Sequence, residues 1–150
     1  MAFPIPPFSK EIAGFQNDGK TITMDVKVTN TGSVPGKELV QAYYTAPYTP
    51  GGIEKSAVVL ADFTKTGLIQ PGESETVTLS WAVEDMASYD YTGVKAAGSA
   101  WVLEAGDYII SLRNNSHDVL GSETVTVAQD VIYNDANAGP RSSDNIAAVY

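Results

Sequence analysis

Residues 24–44, MDVKVTNTGSVPGKELVQAYY, carry two runs of alternating character joined by a Gly- and Pro-containing connection. In residues 21–30, Ile22, Met24, Val26 and Val28 fall on one face, and Thr21, Thr23, Asp25, Lys27 and Thr29 on the other. A period of two marks a strand with one face buried, because successive Cβ atoms point to opposite sides of a pleated sheet. Residues 38–46 read as a second strand, richer in large residues on both faces. Its inward set is either Leu39, Gln41 and Tyr43 or Val40, Ala42 and Tyr44. The second is preferred because it leaves the Gln41 amide out of the core. Gly32 and Gly36 stand where the chain must reverse between the two strands.

The same alternation and turn chemistry recur on both sides of this stretch. Towards the N-terminus, FPIPPF (residues 3–8) holds three prolines, which exclude helix and favour an extended approach. Residues 8–17 read as a first strand of poor alternation, closed by a turn at Asn17-Asp18-Gly19. Downstream, PYTPGGIE (residues 47–54) is a loop long enough to carry function or simply to move. Residues 56–65 return to strand, with Val58, Leu60 and Phe63 as core candidates. After a turn around Pro71-Gly72, residues 75–83 place Val77, Leu79 and Trp81 on one face. Residues 84–88 suit one helical turn, and small residues lead from there to Trp101-Val102-Leu103. Tyr108, Ile110 and Leu112 face inward on the next strand, and Val125 and Val127 on the last. From residue 129 the period stops. About seven strands with turn signals every dozen residues or so predict an all-β sandwich. The expected divisions are an approach segment over 1–9, the sandwich over 10–128, and an irregular tail or linker towards a following domain over 129–150.

Composition narrows the function classes. A chain of 150 residues forms one domain with a single sizeable core. The absence of cysteine excludes disulfides, zinc knuckles and a thiol nucleophile, and the lone His117 excludes multi-histidine metal sites. A net charge of -9 repels phosphate backbones, so nucleic acid and anionic membrane are poor partners. The longest apolar runs are of strand length, and none reads as a signal peptide or transmembrane helix. No segment assigns a compartment; extracellular bacterial is the leaning.

Four motifs then line up in order: VTNTGSVPGKELVQAYY (28–44), LADFTKTGLIQPGESETVTL (60–79), EDMASYD (84–90) and WVLEAGDYIISL (101–112). Together they resemble the fibronectin type III-like domain of glycoside hydrolase family 3, over roughly residues 10 to 128. The resemblance implies a fibronectin type III or immunoglobulin-like β-sandwich of about seven antiparallel strands. It also implies that the chemistry lies elsewhere, with an aspartate nucleophile on a first catalytic domain and a carboxylic acid/base usually on a second. No counterpart of the family's nucleophile motif, an aspartate followed by tryptophan, is present; Ser143-Asp144-Asn145 is not one. The implied module has no catalytic residue, cofactor or metal of its own, and its partners are the catalytic domains of the same polypeptide. In some bacterial members the domain order is permuted, and VIYNDANAGPRSSDN (131–145) resembles an exit segment towards a further domain.

A few residues are candidates for chemistry or contacts of their own. Glu84, Asp85 and Asp90 are the nearest approach to the acid pair, about 5 Å apart, that a retaining glycosidase needs. Acidic residues at a first helical turn explain Glu84 and Asp85 as well. Tyr48, in the long loop, with Tyr91 and Trp101, are the candidates for contact with a glycan or a neighbouring domain. His117 beside Asp118 lacks a serine nucleophile on a strained elbow. Asn114-Asn115-Ser116 is a glycosylation sequon, and residues 135–139 lack the closing acid of a calcium loop. The leading expectation is an accessory structural module of a β-glycosidase. The alternatives are a carbohydrate-binding module and a bacterial surface adhesion sandwich, whose mark is an apolar patch on one sheet face.

Overall fold

The structure, a computed structural model, describes residues 8–47, 58–90, 100–114 and 118–133. Ten strands lie among them: β1 (Phe8–Asn17), β2 (Thr21–Asn30), β3 (Leu39–Thr45), β4 (Val59–Lys65), β5 (Ser74–Ala82), β6 (Ser88–Asp90), β7 (Ala100–Leu103), β8 (Gly106–Arg113), β9 (Val119–Val127) and β10 (Val131–Tyr133). A 3-10 turn, Val83–Met86, occupies the place where one helical turn is expected. Seven strands build the sandwich: one sheet ordered β1-β2-β5, the other β4-β3-β8-β9, with every neighbouring pair antiparallel. The three short strands make a third sheet, ordered β10-β7-β6.

The core lies between the two main sheets. β2 contributes Ile22, Met24, Val26 and Val28, all wholly buried. β3 contributes Val40, Ala42 and Tyr44, the preferred of its two candidate faces. Leu79 and Trp81 of β5, Tyr108, Ile110 and Leu112 of β8 and Val125 of β9 complete the cluster. Burying a side chain of this kind is worth about 1.5–3 kcal/mol. A one-residue slip of β2 would turn its whole apolar set to solvent, so the alternation fixes the register.

Polar ties close both ends. Asn30 is wholly buried at the end of β2; its backbone accepts from Gly72 N–H at 2.8 Å and donates to Glu73 O at 2.9 Å. Lys10, with its side chain 3% exposed, reaches from β1 to the start of β3, 3.2 Å from Glu38 Oε2 and 3.1 Å from Leu39 O. Tyr108 hydroxyl donates to Glu104 O at 2.9 Å, a tyrosine bond back to the backbone just upstream, as sandwich corners of this class make.

Two core assignments are corrected. Leu60 and Phe63 of β4 are not core residues but point outward, Phe63 being 60% exposed. The cause is a bulge: Ala42 pairs with Asp62 and Tyr43 with Leu60, which leaves Ala61 as an extra residue and shifts the alternation. Val59 and Ala61 pack on the core instead. A bulge at Ala13, between the pairs Ile12↔Val26 and Gly14↔Asp25, likewise accounts for the poor alternation of β1. Within residues 129–150, expected as an irregular tail or linker, Val131–Tyr133 is a short strand paired with β7.

Candidate functional site

Of the aromatic candidates, Tyr48 and Tyr91 lie outside the described residues, as do His117, most of the 47–54 loop and residues 134–150. Trp101 sits on the central strand of the small sheet, directly opposite Tyr89 of β6 and Tyr133 of β10. Side chains opposite one another on adjacent strands share a face, so the three make one aromatic row. The Tyr89 and Trp101 rings meet edge-to-face, with centroids 5.2 Å apart. Trp101 and Tyr133 are half-buried and pack against the main core, so this row joins the small sheet to the sandwich.

The acids are distributed as the local structure dictates. Glu84 and Asp85 occupy the 3-10 turn, whereas Asp90 ends β6 with 1% of its surface exposed. Among the described residues no three His, Cys, Asp or Glu side chains are grouped to hold a metal ion. A cleft of about 700 Å³ opens at one end of the sandwich, lined among others by Asn17, Lys20, Glu84, Gln129 and Tyr133. Next to it, the backbone N–H groups of Thr21 and Lys20 donate to the Asp18 carboxylate and hold it below its usual range. That carboxylate is committed to forming the β1–β2 turn.

The outer faces of the two main sheets differ in kind. Register places Ser9, Glu11, Thr23, Lys27, Thr76 and Ser80 on the outside of the β1-β2-β5 sheet, an ordinary solvated surface. On the β4-β3-β8-β9 sheet the outward rows are Phe63–Gln41–Arg113–Val119, Leu60–Tyr43–Ser111–Ser122 and Thr45–Ile109–Thr124. Phe63, Leu60, Val119, Ile109 and Leu39 are all exposed large hydrophobics. The centre of this face is ordered by its own contacts. Arg113 lies over the Tyr43 ring, 5.8 Å from its centroid, and its Nε donates to Ser111 Oγ at 2.7 Å. Tyr43 hydroxyl donates to Gln41 Oε1 at 3.1 Å, and Ser111 is only 2% exposed although it points outward. Chemically the face offers apolar area and one fixed cation, which suits burial against another surface.

Comparison with known proteins agrees with this geometry. The profile of the fibronectin type III-like domain matches residues 38–116. Beta-glucosidase A of Butyrivibrio fibrisolvens is 50% identical over 97 residues, which are 65% of this chain and 11% of that protein. A beta-glucosidase of Ruminococcus albus is 46% identical over 92 residues, 61% of this chain and 9% of that protein. Among solved structures, beta-glucosidase 3B from Thermotoga neapolitana, in complex with glucose, superposes with a TM-score of 0.72 at 34% identity, covering 83% of this chain and 16% of that one. The chain thus spans 9–11% of the length of these two curated relatives.

Proposed function

The chain belongs to the fibronectin type III-like domain family, in the form found in glycoside hydrolase family 3, and on that premise we propose that it is a non-catalytic module of a larger β-glucosidase. The observation that carries the proposal is the match itself: an Fn3-like sandwich similar to a small share of long β-glucosidases. Its role is to pack against the catalytic domains of the same polypeptide and hold their arrangement. The buried side chains of the four family motifs serve packing and turning. In this reading the module runs from the start of β1 to the end of β10. Hydrolysis of a nitrophenyl β-glucoside by the isolated 150 residues is the direct check. No turnover above the buffer rate is expected, and enzyme-like turnover would overturn the proposal.

A further inference from the structure

Resting on that reading, we infer that the outer face of the β4-β3-β8-β9 sheet, centred on Phe63, Leu60, Tyr43 and Arg113, is the surface by which the module docks on the catalytic part of its own polypeptide. The first argument is contrast. In a chain of net charge -9, the outer face of one sheet is polar, whereas the other gathers five exposed large hydrophobics. Exposed large hydrophobics gathered on one sheet face mark an interaction surface.

The second argument is charge. Lys65 and Arg113 stand at one end of the face, and among the described residues of its strands the outward acid, Asp107, is at the far end, held by Thr126 Oγ1 at 2.8 Å. The acid beside the face, Asp62, is turned away by the Ala61 bulge and accepts from Ser80 N–H of β5 at 3.0 Å. The complementary partner is therefore a surface with an apolar centre, and Arg113, held by Tyr43 and Ser111, meets it with little further ordering.

The third argument is area, and it selects the occupant. Four strands about 4.8 Å apart and about seven residues long give a face of roughly 400 Å². Stable complexes of separate proteins bury about 800 Å² on each partner, whereas domains linked in one chain hold together through about 600–1,500 Å² in total. A face of this size suits a tethered neighbour, for which the linker supplies a high effective concentration. It is too small for a stable second copy. Nine-tenths of the length of Beta-glucosidase A lies outside the matched segment, so a tethered neighbour of ample size is implied.

Hydroxyl-radical footprinting, on the isolated chain and on the full polypeptide encoded by its reading frame, tests the inference. The expected result is several-fold protection of Phe63, Leu60 and Tyr43 in the full polypeptide, with Leu68 and Val34, exposed in turns at the sheet ends, labelled equally in both. Phe63→Asp is expected to lower Tm in the full polypeptide and leave the isolated chain unchanged. Protection of other residues while Phe63 stays labelled would overturn the inference and leave the accessory role standing. No change at any residue would overturn both. Protection already present in the isolated chain, with elution at twice its mass, would assign the face to a second copy and overturn the inference.

Discussion

Asn30 donates from Nδ2 to the carbonyl oxygen of Ile69 at 2.8 Å, across the end of the sandwich. The same amide donates to Val34 O at 2.9 Å, and its Oδ1 accepts from Gly32 N–H at 2.9 Å. One buried side chain thus holds the β2–β3 connection against the β4–β5 connection. Each unsatisfied buried partner costs about 1–3 kcal/mol. Asn30→Ala removes the acceptor of the Gly32 N–H and one donor each from Val34 O and Ile69 O, the latter still accepting from Gly36 N–H at 3.1 Å, and is expected to destabilise the chain by about 2 kcal/mol in urea unfolding. Asn30→Asp is expected to cost at least as much at pH 7, because a carboxylate faces two carbonyl oxygens that need donors. Unchanged midpoints in both variants would contradict this role.

Tyr108 carries a pH dependence. Its ring is 1% exposed, and burial, reinforced by the nearby Glu104, pushes its phenol well above the ordinary range. Between the unfolded value of about 10 and the folded value, the unfolded chain loses a proton that the folded chain keeps. Stability is therefore fully present below about pH 10 and falls above it, by up to about 1.4 kcal/mol per pH unit. Tyr108→Phe is expected to cost about 1 kcal/mol at pH 7, through the lost bond to Glu104 O, and to flatten the alkaline fall. Thermal unfolding between pH 8 and pH 11 reads both effects.

Two glycines make a contrasting pair. Gly72 has φ +80 with open space around it, and Gly106 has φ +134 with Pro47 carbons 3.0 Å from where a Cβ would stand. Gly72→Ala is expected to cost about 1–2 kcal/mol, the left-handed penalty alone. Gly106→Ala meets both strain and a clash, and is expected to cost more, about 3 kcal/mol. Chemical denaturation of the two variants ranks them; the reverse order would contradict the assigned contact.

The small sheet ties β10 to the sandwich. β10 pairs with β7, and Asp130 Oδ1 accepts from Ala105 N–H at 2.7 Å. Truncation after residue 128 removes both, whereas truncation after residue 133 keeps them. The longer fragment is expected to unfold several degrees higher, and equal Tm values would place the boundary at 128.

How much of this was legible in the sequence follows from how each strand is buried. β2 alternates without interruption and packs one face on the core, so Ile22 to Val28 read correctly. The bulge at Ala61 leaves no trace in composition, so Leu60 and Phe63 read as core when pairing turns them outward. β10 is three residues long, too short to show any period. The outward face of β3 is ambiguous for a different reason. Tyr43 and Leu39 are the size of core residues, and only the register with β4 and β8 shows which surface they build. Of the contact candidates, Trp101 falls in an aromatic row with Tyr89 and Tyr133, a juxtaposition of residues 89, 101 and 133 that sequence distance conceals.

The accessory role is tested most directly by removing the module from the full polypeptide. The β-glucosidase activity and Tm of the remaining catalytic part should be measured with and without residues 8–133 present in the same chain. The account predicts a lower Tm and faster thermal inactivation on removal, with the aryl-glucoside activity of the surviving folded fraction retained. A catalytic part that is equally stable without the module, or an isolated module that itself turns over the glucoside, would contradict it.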